Sequence, residues 1–109
     1  MKKWHIEYWT GTGKKSPVEK WLDKLTDEQL DSVSEDLKVL AREGNELKLP
    51  RSKPLSKGLF ELRETRFGYR IYYCFRGNKV IILLAAGDKK SQKNDIKTAR
   101  KRLTEVQTK

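Results

Sequence analysis

Apolar and polar residues alternate from Lys3 to Trp9. Trp4, Ile6 and Tyr8 fall on one side and His5, Glu7 and Trp9 on the other, which predicts a first β-strand. Gly11-Thr12-Gly13 is expected to end it. Ser16-Pro17-Val18-Glu19 then predicts the start of a short helix: a capping serine, proline at the first helical position and glutamate at the third. Thr26-Asp27-Glu28-Gln29 repeats that logic for a longer helix. Its buried stripe is Leu30, Val33, Leu37 and Leu40, and Gly44 is its stop. Residues 45–57, with Pro50 and Pro54, read as loop. Three strands are expected over 59–65, 68–76 and 79–86, the last two joined at a Gly77-Asn78 hairpin. Helical spacing returns over 92–106 through Ile96, Ala99, Leu103 and Val106.

The predicted order is β-α-α-β-β-β-α, with the last three strands an antiparallel meander. That is an α+β domain: a small antiparallel sheet with N-terminal helices and a C-terminal helix. The helices are expected on one sheet face, leaving the other wet. At 109 residues the chain makes one domain, residues 1–109.

Charge sharpens this picture by its location. Residues 1–43 hold 8 Lys/Arg against 9 Asp/Glu, whereas residues 44–109 hold 17 against 6. The whole excess of +10 therefore lies in the later part of the chain, which favours a polyanionic partner. Cys74 is the single cysteine, so no intrachain disulfide forms, in keeping with a reducing cytoplasm. Its place in an apolar strand reads as core packing rather than a nucleophile. The first residues lack the apolar stretch of a signal peptide, and the run Val80 to Ala86 is too short to span a bilayer, so no membrane partner is expected.

The candidate chemistry lies in the strands. Alternation sets Phe60 and Leu62 opposite Glu61 and Arg63, and sets Tyr69, Ile71, Tyr73 and Phe75 opposite Arg70, Tyr72 and Cys74. Arg63 and Arg70 then project from neighbouring strands on one face. Two adjacent guanidiniums repel unless something negative lies between them. A phosphate satisfies both; pairing with Glu61 or Glu64 is the alternative. Lys89, Lys90 and Lys93 crowd the start of the last helix, where cations are mildly unfavourable, so a use for them is expected. One of them is suited to general acid or base work. With one histidine, His5, and one cysteine, no metal or cofactor is expected. Gly11-Thr12-Gly13-Lys14-Lys15 lacks the full phosphate-loop pattern. Trp4, Trp9 and Trp21 read as packing residues.

Three motifs carry a resemblance. Gly58-Leu59-Phe60-Glu61-Leu62-Arg63, Tyr69-Arg70-Ile71-Tyr72-Tyr73 and the turn Lys89-Lys90-Ser91-Gln92-Lys93, before a helix with Ala99, are similar to those of the RelE/HigB-like type II toxins, in the phage-derived Gp49-like branch. The resemblance implies a RelE-like toxin fold and a ribosome-dependent, metal-independent endoribonuclease that cuts mRNA and inhibits translation. It also implies a cognate antitoxin, a helix-turn-helix protein in this branch, with the ribosome and mRNA as further partners. By motif, Arg70 matches the arginine that contacts the scissile phosphate, Arg63 the basic residue of the preceding strand, and Lys89 or Lys90 the basic position after the last strand. Arg63, Arg70 and Lys90 are thus the expected catalytic group, and Lys57, Arg66, Tyr72, Lys89, Gln92 and Lys93 the expected RNA contacts. The chain departs from the pattern in having no tyrosine after Tyr73 and no match to the catalytic histidines of some HigB members. Proton transfer then falls to lysines, Glu61, Asp95 or the ribosome. The alternatives are a non-catalytic basic RNA- or DNA-binding module, and a toxin-fold relative acting on another target such as a topoisomerase.

Overall fold

The structure, a computed structural model, describes residues 3–11 and 15–108. Of the expected strand stop, Thr12 and Gly13 lie outside the described residues, and so does Lys14 of the glycine-lysine stretch. The elements are β1 (His5–Tyr8), α1 (Pro17–Asp23), α2 (Asp27–Glu43), β2 (Ser52–Pro54), β3 (Phe60–Arg63), β4 (Arg70–Arg76), β5 (Val80–Gly87) and α3 (Gln92–Gln107). They form one five-stranded sheet in the order β1-β5-β4-β3-β2. β3, β4 and β5 make the expected antiparallel meander, while β1 adds to β5 in parallel.

The helix starts follow from their caps. Ser16 Oγ accepts from the Glu19 N–H at 2.9 Å with Pro17 first in α1. Thr26 and Gln29 form the reciprocal capping box that opens α2. Gly44 ends α2 at φ 54°, and a β-carbon there would lie 1.9 Å from Trp4 Nε1. The glycine therefore serves two needs, a left-handed backbone and room for the indole. Trp4 N–H donates to Ala41 O at 2.7 Å and its ring packs 5.0 Å from Phe75, which seats β1 against the end of α2.

Two expectations are corrected. First, residues 45–57 are not all loop: Ser52–Pro54 pair with β3 as an edge strand. Proline is tolerated there because an edge strand leaves its outer side unpaired. Second, the sheet is not wet on one face. α1 and α2 cover one side over Val18, Val33, Leu40, Leu62, Ile71, Tyr73, Ile81 and Leu83. α3 covers the other over Leu59, Tyr72, Cys74, Ile82, Leu84, Ala85, Ala99 and Leu103. The physical reason is that β5 is apolar on both sides, and each exposed Leu or Ile would forfeit about 1.5–3 kcal/mol.

β5 also carries a bulge. Tyr72 pairs with Ala85 and Tyr73 with Leu83, which leaves Leu84 unpaired. Leu84 and Ala85 both enter the α3 core, and Ala86 returns to the other side. The bulge bends the end of β5 and brings Gly87 opposite Arg70.

Candidate functional site

The C-terminal ends of β3 and β5, the start of β4 and the start of α3 meet at one end of the sheet. Arg63 and Arg70 are direct cross-strand partners there. The negative group between them is supplied by the chain itself. Glu61, with its side chain only 1% exposed, places Oε1 3.0 Å from Arg63 Nε and Oε2 3.6 Å from Arg70 Nε. Gln92, first residue of α3, donates its amide to Glu61 Oε2 at 2.9 Å. The arginines are thus neutralised in part by Glu61, as the alternative to a phosphate anticipated, and they do not lie on an open wet face. Arg70 also donates from Nη1 to Gly68 O at 3.3 Å.

Tyr72 lies behind this cluster, fully buried, with its hydroxyl outside hydrogen-bond geometry to any described residue. Burial, then the neighbouring charge of Glu61, pushes the phenol well up, so it stays protonated. Asp95, one turn into α3, accepts from Ser91 Oγ at 2.5 Å. Burial raises its carboxyl above the ordinary range, with Asp88 adding to the effect and Ser91 and Arg102 opposing it. Gly87 makes room for this turn: a β-carbon on it would lie 2.0 Å from Asp95 Oδ2 and 2.4 Å from Ser91 Oγ.

Lys89, Lys90 and Lys93 are exposed on the turn and first turn of α3, beside Gln92. None of the three forms an ion pair among the described residues. Arg63, Arg70, Gln92 and the lysine turn are therefore brought to one end of the molecule, with Tyr72, an expected RNA contact, buried beneath them and closed to solvent. Two expected contacts are not. Lys57 sits by Gly58, which faces Gln107 at the far end of α3, roughly 20 Å along the helix from Gln92. Arg66 lies in the β3–β4 turn but on the α2 side, donating to Glu28 at 3.0 Å and covering the Phe67 ring.

That turn is pinned by a second buried carboxylate. Glu64 accepts from Ser32 Oγ and from the backbone N–H groups of Arg66, Phe67 and Tyr69. Burial alone would raise its carboxyl, but the hydroxyl and the three N–H donors outweigh burial and hold it below the ordinary value. Trp4, Trp9 and Trp21 are packing residues as expected; Trp9 lies under Arg102 at 4.5 Å and Trp21 meets Tyr69 edge-on. His5 is an exposed strand residue 3.6 Å from Glu7. Cys74 is buried, and burial pushes its thiol up to about 11. No group of three or more His, Cys, Asp and Glu gathers at metal-binding distance among the described residues. No helix among them is long and apolar enough to cross a membrane. A cleft of about 390 Å³ opens by Trp9, Arg76 and Glu105, and holds none of the expected residues.

Sequence reasoning missed the part played by Gly87, which the bulge in β5 places, and it weighed Glu61 only as a possible partner. The signal for Glu61 was available: a carboxylate flanked by Phe60 and Leu62 in the middle of a short strand.

Comparison with known proteins places this geometry. Residues 20–104 match the family described as phage-derived protein Gp49-like. An uncharacterised protein of Haemophilus influenzae is 43% identical over 49 residues, or 44% of this chain. The matched segment spans half of that relative's length. Among solved structures, a double arginine mutant of the E. coli toxin RelE in the free state superposes with a TM-score of 0.67 at 15% identity. The superposition covers 92% of this chain and 97% of that one, so the α+β fold is that of RelE.

Proposed function

The chain belongs to the Gp49-like family of phage-derived proteins, and from that premise we propose that it is the toxin of a type II toxin–antitoxin system. In this reading it is a metal-independent endoribonuclease that cleaves mRNA on the ribosome in the cytoplasm. The observation that carries the reading is the Arg63–Arg70 pair, in register on adjacent strands beside the unpaired lysine turn. Its partners are mRNA, the ribosome and a cognate antitoxin of helix-turn-helix type.

The chemistry asks for little beyond these residues. The RNA 2′-hydroxyl attacks its own neighbouring phosphorus, the bond to the 5′-oxygen breaks, and a 2′,3′-cyclic phosphate remains. The protein holds the sugar and phosphate in line and stabilises charge on the phosphoryl oxygens. Arg63 and Arg70 supply that charge, and Lys90 an exposed ammonium on the turn before α3. Glu61 is enclosed and fully engaged, so it is not the base. Proton transfer falls to Lys89, Lys90 and Asp95, whose raised carboxyl moves toward the range useful at neutral pH.

One observation favours the non-catalytic RNA-binding module: Tyr72, on the strand of Arg70, is buried and closed to solvent, so it offers no phenol for proton transfer. Primer extension on translated mRNA separates the two readings. New 5′ ends phased with the reading frame support the nuclease. Intact transcripts, with salt-dependent RNA binding, leave only the binding module.

A further inference from the structure

Two buried carboxylates lie along this hairpin, and they are satisfied in different ways. Glu64 takes three backbone N–H groups and a serine hydroxyl, so its work is to fasten the β3–β4 turn. Glu61 takes no backbone donor. Its partners are the side chains of Arg63, Arg70 and Gln92, all facing the site. A buried carboxylate loses several kcal/mol of hydration before its partners are counted. An apolar residue would fill the same space without that loss, so the carboxylate acts on its partners.

A guanidinium presents two hydrogen-bonding edges. Arg63 Nε donates to Glu61 Oε1 at 3.0 Å, whereas Arg70 Nε, buried 3.6 Å from Oε2, is held by charge with no hydrogen bond. Neither Nη of Arg63, nor Nη2 of Arg70, donates to any described residue. The two side chains remain 32% and 18% exposed, while Glu61 is 1% exposed. We propose that Glu61 is a positioning residue: an internal counterion that fixes Arg63 by a hydrogen bond to its Nε and Arg70 by charge across 3.6 Å, and turns their terminal amines toward one phosphate. Through Gln92 the same carboxylate ties the lysine turn of α3 to the sheet. The inference rests on the reading of this site as a phosphate-binding one, and says how the clamp is held.

The charge arithmetic makes a distinctive signature. Glu61 leaves the trio with a net charge of about +1, enough to attract a phosphate without splaying two like charges. Glu61→Gln removes the counterion but adds to the attraction for RNA. Its RNA affinity is then equal or higher, while cleavage falls on the order of 100-fold through misplacement of the clamp. A merely structural role would instead lower both together with the thermal midpoint.

Two measurements test this, on the whole chain. In the wild type, side-chain ¹H–¹⁵N spectra are expected to show slowly exchanging Nε–H signals for Arg63 and Arg70, unlike exposed Arg76. Added inorganic phosphate should move the Nη signals of both and leave Nε in place. Nε–H exchange as fast as that of Arg76, or Nε signals that follow phosphate, overturns the proposal without any variant having to fold. In folded Glu61→Gln, cleavage at the wild-type rate also overturns it; retained RNA binding with lost cleavage supports it. If the wild type itself leaves translated mRNA intact, the nuclease reading fails, and the spectra still decide what Glu61 does.

Discussion

Arg63 and Arg70 face each other directly across β3 and β4, a cross-strand pairing of like charges. Such pairs are ordinarily unfavourable, and this one persists because Glu61 lies between the Nε atoms. The arrangement holds two cations close and leaves about one net positive charge for a ligand.

Arg70→Ala is expected to lower mRNA cleavage about 10²–10³-fold, the loss typical of one donor to a developing anion. Growth inhibition on expression should fall with it. Equal toxicity of variant and wild type, at equal folded protein, removes Arg70 from the reaction.

The lysine turn makes a different prediction. Lys89, Lys90 and Lys93 touch no carboxylate of the described chain, so alanine at each should shift unfolding by no more than about 0.5 kcal/mol. Each that contacts a phosphate should reduce the salt slope of single-stranded RNA binding by roughly 0.7. Titration at several salt concentrations reads this directly, and an unchanged slope takes that lysine off the RNA path.

Gly87→Ala tests the seat of α3. The added methyl meets Asp95 Oδ2 at 2.0 Å and Ser91 Oγ at 2.4 Å, so the first turn of the helix must move. A cost of about 1–3 kcal/mol is expected from urea unfolding. Pairing it with Asp95→Ala should return part of that cost; simple additivity of the two would show that the contact is not made.

Glu64 sets an acid limit. Its folded carboxyl lies below the ordinary 4.5, so its stabilisation is complete above that value and is lost as pH falls through the folded value. Asp36 and Asp95, both raised chiefly by burial, act in the opposite sense and favour the fold as they take up protons. Glu64's own contribution should fade as pH falls below about 4.5, the value its carboxyl has when unfolded. Glu64→Gln should show a shallower or reversed slope, measured by urea unfolding at successive pH values.

Cys74 should resist alkylation. With the thiol buried and pushed up to about 11, almost no thiolate is present at pH 8 in the folded state. Labelling by iodoacetamide is expected to follow unfolding in urea; rapid native-state labelling would place Cys74 nearer the surface.

The local chemistry of this chain was plain in its residues. Ser16, Thr26 and Gly44 announce helix ends because caps and left-handed stops depend on single side chains. The alternation around Phe60 and Ile71 fixed which residues share a face, and so brought Arg63 and Arg70 together. β2 stayed hidden because three residues ending in Pro54 give no period to read. The second core was written in the unbroken run Val80 to Ala86, which asks for cover on both sides, but a preference for a wet cationic face obscured it. The bulge at Leu84 is a tertiary event: nothing in the strand's own pattern marks where the alternation slips.

The parallel pairing of β1 with β5 carries a consequence for the time at which this molecule comes into being. His5 pairs with Val80 and Tyr8 with Leu83, so β1 waits for the first half of β5 before its ladder can close. Gln92 adds its amide to Glu61 later still. The hairpins of β3, β4 and β5 are local, as is the packing of α3 on the β5 it follows, whereas closure by β1 is distant in sequence and is expected last. A nascent chain therefore carries its arginines unset after β3 is made, and acquires the complete clamp only once Gln92, 31 residues beyond Glu61, has emerged.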